Sequence, residues 1–329
     1  MPRGCVKVYV DARVELVSII PLLAPWSSVP ERMRDYPYLR EVYEYFSEWK
    51  DHEVIQLFTE LMYRGFSVDA LLGLATHLSD PPELEVRVDY SDYILEKAHG
   101  RENVEKLVEK LRAFCGDAHF VEFYSRHEDL YSKVSEALGS EVRAERVVEA
   151  LEDFFSMAMD CYHVIPLLTL EGNFGYRLGS GEGVHAFAFV MPTDVIKGVP
   201  TFKGARVAVE HELIHAFLNP LAEKYRDVVG ECLEALKPLE EDLRRFGYGR
   251  AILVFNEHLV RACNIAIEER YMGLTKEEAA RWIETEEGRG FKLIRGFYKA
   301  VEYYAARKTE YGSFENFYPE LLRILRAKQ

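Results

Sequence analysis

No apolar run in the chain reaches the roughly 18 residues needed to span a bilayer, so a membrane partner is not expected. The opening residues, MPRGCVKVYVDARVEL, lack the uninterrupted apolar core of a secretory leader, because Asp11, Arg13 and Glu15 break it. Cysteine is scarce: five residues, Cys5, Cys115, Cys161, Cys232 and Cys263. Their odd number, wide spread and lack of any C-x-x-C argue against a disulfide framework and against a cysteine zinc site. Positive charge is also in deficit, with 41 Lys and Arg against 55 Asp and Glu and a net charge of -14. Such a surface repels phosphate backbones, so nucleic acid is not an expected partner. Neither an internal repeat nor a low-complexity linker divides the chain. These absences together lead to the expectation of a soluble, cytoplasmic protein, and they leave its oligomeric state open.

What is present is enough for a core. The chain has 329 residues, 48% of them hydrophobic, which suits one large domain or two intimate ones. Alternation in VKVYV predicts a strand, and helical patterns follow to about His77, one of them capped by Ser67. PPELEVRVDY alternates again. Residues from about Ser91 to Met159 read as charged amphipathic helices. CYHVIPLLTL and GVHAFAFVMP are short apolar runs joined by a glycine-rich connector, and they predict two strands. Everything after Lys203 reads as helix, with an aromatic-rich end that packs as a cap. The GSGEG segment precedes a strand pattern and not a helix start, so it does not make a phosphate loop. The expected fold is α+β and mostly helical. A small mixed sheet, with strands near 6–10, 84–89, 162–170 and 184–191, would pack against one central helix, with helical layers before and after. A mainly helical region over 1–160 would precede a second region over 161–329. The two could form one unit, because the first strand is free to join the later sheet.

The central helix is VAVEHELIHAFLNP, Val207 to Pro220. His211 and His215 lie four residues apart, roughly 40° around a helix, so both imidazoles can reach one ion. Glu212 sits about 100° from His211, awkward for a third ligand but well placed to take a proton from a water. This division of labour is the chemistry of His-Glu-x-x-His metallopeptidases. The surrounding turn is apolar at Val207, Val209, Leu213, Ile214, Phe217, Leu218 and Leu221, and only Arg206 and Glu210 look like a solvent stripe. Two unpartnered histidines and a glutamate would be costly to bury there, and a metal removes that cost. Asn219-Pro220 is expected to end the helix.

A catalytic zinc site takes three protein ligands and keeps one open position. The glycine and third histidine of the longer zinc motif are absent, since those positions hold Leu218 and Leu221. Two carboxylates remain. Glu234 lies in GECLEALKPLEEDLRR, a highly charged stretch that reads as a solvated helix. Glu257 lies in AILVFNEHLVRACNIAIEERY, an apolar helix with a polar island of Asn256, Glu257, His258, Arg261 and Asn264. A buried polar island needs satisfying, by a metal or by a Glu257–Arg261 ion pair. Glu257 is favoured over Glu234.

HELIHAFLNP followed some forty residues later by NEHLVRA resembles an uncharacterised family of inferred zinc-dependent peptidases, known by a domain-of-unknown-function label. It is similar to the gluzincin branch of the zincins. VDARVELVSIIPLLA and FSEWKDHEVIQLFTEL extend the resemblance over most of the chain, more loosely. The resemblance implies a zincin-like fold, Zn2+ as cofactor, His211, His215 and Glu257 as ligands, Glu212 as general base, and a peptide or protein substrate. The better-known gluzincins carry an aspartate or serine soon after the ligand glutamate, where this chain has Val260 and Arg261. The oxyanion-stabilising residue has no sure counterpart; His258, Tyr271 and Tyr311 are candidates. His52 either lies near the site or caps a helix. His163 and His185 fall on strands, and Asn173 to Tyr176 could belong to a substrate-binding edge. The expected function is a zinc metallopeptidase. A zinc hydrolase of another amide or ester, or a binding protein with a structural or degenerate metal site, would use the same residues.

Overall fold

The computed structural model describes residues 2–26, 36–181, 183–232, 239, 243 and 250–326. It is α+β and mostly helical, with a small mixed sheet. The chain forms two compact units: Cys5–Ala144 with Asp160–Val209, and residues 1–4 with Glu145–Met159 and Glu210–Gln329. A boundary at residue 160 would part paired strands, because β1 (Cys5–Val8) lies parallel to β2 (Cys161–Pro166). β1 thus belongs to a sheet whose neighbouring strand begins 156 residues after it.

That first unit holds all the strands. Between β1 and β2 run α1 (Ala12–Leu23), α2 (Pro37–Phe46), α3 (Glu53–Tyr63), α4 (Val68–Thr76), α5 (Asp92–Lys97), α6 (Arg101–Asp117), α7 (Phe120–Ser125) and α8 (Glu128–Val142). β3 (Phe174–Ser180) and β4 (Gly183–Val190) follow, and the sheet order is β1-β2-β4-β3. β2 pairs parallel with β4, and β3 pairs antiparallel with β4 and forms an edge. Every residue of β2 is buried, which is why its sequence is a continuous apolar run rather than an alternating one. A short hairpin, β5 (Asp194–Ile196) with β6 (Val199–Thr201), completes the strands of the described residues.

Several expectations need correcting here. Residues 84–89 form no strand; Leu78 and Val86 make only an isolated bridge. The Arg87 and Val88 amides both bond the His77 carbonyl, so this segment is strapped to the end of α4 and has no sheet to join. The glycine-rich connector is itself mostly strand, β3. Tyr176 on that strand is tied down: its hydroxyl bonds His77 and Ser91, and its ring lies over Gly73. A Cβ at residue 73 would sit 2.6 Å from that ring, so the helix approaches the strand only because glycine stands there. Ser67 occupies the N-cap of α4, but its hydroxyl bonds no helix amide. His52 does cap α3, its Nδ1 accepting from the Val54 amide. Cys5 and Cys161, opposite each other across the β1–β2 register, form a disulfide. The pairing of two cysteines 156 residues apart is set by strand register and is invisible in their spacing. Cysteine usage therefore gives no argument for a reducing compartment. Among the described residues, no helix is long and apolar enough to cross a membrane.

The second unit is helical. It takes most of α9 (Ala144–Phe155), then α10 (Ala205–Lys224) from Glu210 onward, α11 (Arg226–Cys232) and α12 (Ala251–Ile267). α12 continues as a short π-helical turn, Glu268–Met272, which Gly273 ends at φ 87. α13 (Lys276–Arg289), α14 (Ile294–Ala306), α15 (Lys308–Tyr311) and α16 (Phe314–Arg326) follow. α13 starts at a capping box, Thr275 with Glu278, a device contributing about 1 kcal/mol. Phe155 stacks on Phe217 of α10, and Phe154, Tyr304, Phe314 and Phe317 are fully buried together. The aromatic-rich C-terminal segment is core packing. Pro220 does not end α10, which runs on for another turn to Lys224.

Candidate metal centre

α10 presents His211 and His215 from one face, with ring centroids 5.1 Å apart. Leu213, Ile214, Phe217 and Leu218 on the same turns are buried and fix the rotation of the helix. α12 brings up Glu257. Its Oε2 lies 3.5 Å from His211 Nε2 and its Oε1 3.2 Å from His215 Nε2. One donor atom from each of the three side chains falls within 4.8 Å of the other two. Donors about 2.1 Å from a tetrahedral ion are about 3.4 Å apart, so this spacing fits a single cation. The donor types fit too, since two imidazoles and a carboxylate are a set that zinc takes in catalytic sites. Glu257 Oε2 is buried and has only charge contacts, with Arg261 Nη2 at 3.3 Å and His211 Nε2 at 3.5 Å. A cation would satisfy that atom. The two histidine side chains are 14% and 16% exposed, and Glu257 is 7%.

Without an ion the cluster holds itself together by charge. Burial works to lower His215, but the hydrogen bond and charge of Glu257 outweigh it and push the imidazole up to about 9. Burial works to raise Glu257, but its hydrogen bonds to His211 and His215 hold it well below the usual carboxylate range. A cation would take the place of the proton these groups share. Glu212, one residue past His211, is pushed up by burial; the two histidines pull against this and Glu257 adds to it. A carboxylate displaced toward neutral pH is suited to accept and return a proton.

The surrounding shell explains the polar island. Asn219 Oδ1 lies 3.3 Å from His215 Nδ1 and 3.5 Å from Asn256 Nδ2, so it orients the second histidine through its far nitrogen. Arg261 Nη2 sits 3.3 Å from Glu257 Oε2, and its Nη1 is 3.3 Å from Glu286 Oε2. Glu286 is 1% exposed and also accepts from Arg289 and Trp282. The Arg261 guanidinium lies over the Phe291 ring at 4.2 Å, which fixes its plane. The Glu257–Arg261 ion pair is thus present; it shares Oε2 with His211, while Oε1 faces His215.

Glu210 corrects the reading of a solvent stripe. It is 0% exposed and accepts from Asn264 Nδ2 at 2.6 Å. The α10–α12 contact is therefore pinned by a buried polar pair one residue before His211. Glu210 was not legible as buried, because its i, i+4 spacing from Arg206 reads as a solvent stripe; Glu286 lies in the charged stretch IETEEGR. Asn219 could have been found from its spacing of four after His215. Glu234 lies outside the described residues. The three oxyanion candidates are engaged elsewhere. His258 is fully buried, with Nδ1 bonded to the Val254 carbonyl and Nε2 accepting from the Leu293 amide, and burial pushes it down to about 4. Tyr271 donates to Asp153, and Tyr311 packs on Tyr304 and Phe317.

Fold and site together define a mostly helical α+β chain that gathers two imidazoles and a carboxylate within reach of one ion. The family model described as Domain of unknown function (DUF4932) matches residues 6–324, and the chain belongs to that family. No match was found among curated proteins or among solved structures.

Proposed function

We propose that the chain is a zinc-dependent metallopeptidase of the gluzincin type, acting on a peptide or protein. The observation that carries this reading is the convergence of His211, His215 and Glu257 on one point, with Glu212 next to His211 in the helix and in charge contact with all three. His211 Nε2, His215 Nε2 and a Glu257 oxygen would hold the ion. Bound there, zinc supplies a Lewis acid for the substrate carbonyl and lowers the pKa of water. Glu212 takes a proton from the attacking water onto its carboxylate and returns it to the departing amine. Asn219 and Arg261 act through others: Asn219 keeps His215 turned inward, and Arg261 sets the tilt of Glu257.

The test is Glu212→Gln assayed on an unbiased peptide library beside a small-amide and ester panel. Metal content should stay unchanged, and peptide hydrolysis should fall by on the order of 10²- to 10⁴-fold. Full activity in that variant overturns the mechanism. Cleavage confined to the small amides or esters moves the substrate class without moving the residues.

A further inference from the structure

A second cluster of donors lies on the sheet, apart from the helix-borne site in both residues and chemistry. The register places Cys161 of β2 opposite Cys5 of β1 on one side and opposite His185 of β4 on the other. His163, two residues beyond Cys161, points to the same face. Donor atoms of Cys161, His163 and His185 lie within 4.8 Å of one another, and Cys5 is already bonded to Cys161. His163 Nε2 is 3.0 Å from His185 Nδ1, close to the separation of two nitrogens on one tetrahedral ion. The remaining nitrogen of His163 is held by the Tyr9 hydroxyl at 3.1 Å, and its ring stacks on Phe187 with centroids 4.4 Å apart. An imidazole fixed at one nitrogen, with the other aimed at further donors, is how metal-ligating histidines are built.

We propose that Cys5, Cys161, His163 and His185 form a thiol-gated site for a zinc-type divalent cation, shut while the disulfide stands and opened by its reduction. Two cysteines and two histidines are a donor set that selects zinc over harder cations. Opening takes two electrons and two protons from two equivalents of a thiol reductant, which leaves as its own disulfide. Cation binding then expels both thiol protons. The proton shared by His163 and His185 moves to the outer nitrogen of His185, and both rings bind neutral. Two thiolates and a divalent ion sum to no net charge, which suits a site where Cys161 and His163 are 3% and 6% exposed. Cys5, the other half of the bond, is an exposed residue on the edge strand.

The test is cobalt(II) titrated into the full chain before and after treatment with a trialkylphosphine. The phosphine cleaves the disulfide and becomes its oxide, the oxygen coming from water. The helix-borne cluster holds no sulfur, so a sulfur-to-cobalt charge-transfer band that appears only on reduction and depends on His163 and His185 reports the sheet site. The expected result is no such band before reduction, and a band that grows with added cobalt and saturates afterwards. It should be lost in His163→Ala and in His185→Ala, with thiol counts unchanged. Should His163→Ala fail to fold, the part-exposed His185→Gln decides the point. A disulfide that resists reduction in the folded chain overturns the proposal. So does a reduced chain with free thiols but no band, or a band that survives the histidine changes.

Discussion

The two histidine pairs of this chain are built on opposite principles. His211 and His215 are one helical turn apart on α10, so their meeting is decided by four residues of sequence. His163 and His185 are 22 residues apart on neighbouring strands, and their meeting is decided by the β2–β4 register. In the first pair the third donor, Glu257, comes from another helix and the rings stay partly open to solvent. In the second the further donors are sulfurs that already bond each other. Helix-borne sites can be read from spacing, while sheet-borne sites depend on which strands pair and in what register. One-residue slippage would turn His185 to the opposite face.

The sharpest way to break this comparison is to disable each cluster in turn. Glu212→Gln should abolish turnover and leave metal content alone, as set out above. Glu257→Ala should lower zinc affinity of the helix-borne site by on the order of 100-fold or more, since even outer-shell partners are worth 10- to 100-fold. Competitive titration against a chelator measures this. Unchanged affinity would remove Glu257 from the ligand set and return attention to Glu234. His185→Ala, by contrast, should leave peptide hydrolysis intact.

A pH series sharpens the contrast, because the strand-bearing unit carries a buried acid unrelated to either cluster. Glu15 is 2% exposed on α1 and accepts from the Tyr38 hydroxyl, and burial pushes it up to about 7. A carboxyl whose folded pKa is raised stabilises the fold below its unfolded value of about 4.5, and that contribution is lost as pH rises to about 7. The difference corresponds to about 3 kcal/mol. Glu15→Gln should therefore be more stable than the parent above pH 7 and similar to it below 4.5, read by denaturant melts across that range. A parent chain whose stability is flat between those values would contradict the assignment. Gly73→Ala tests the α4–β3 contact, since the added methyl meets the Tyr176 ring; a loss of about 1–3 kcal/mol is expected. Asn219→Ala is the mildest change. It should weaken zinc binding by about tenfold without moving the unfolding midpoint of the metal-free chain.

These residues also mark how far the sequence could be read. The strands expected near 6–10, 162–170 and 184–191 stand at 5–8, 161–166 and 183–190, and they and the helical remainder follow from periodicity. β3 was hidden because its glycines read as a connector, while pairing with β4 makes it strand. Residues 84–89 alternate like a strand but have no sheet edge to join. Pro220 was read as a stop, yet α10 continues past it. Glu210 and Glu286 looked solvated because a buried charge is defined by its partners, Asn264 and Arg261, which lie 54 and 25 residues away. The Cys5–Cys161 bond and the histidines beside it depend on strand order, which no local pattern encodes.

X-ray absorption at the zinc edge on the purified full chain, compared with Glu257→Ala, addresses the helix-borne centre most directly. One zinc ion bound by two imidazoles and one carboxylate, with a fourth position open to solvent and occupancy lost in the variant, is the expected spectrum. A shell of four protein donors, or zinc binding indifferent to Glu257, would contradict it.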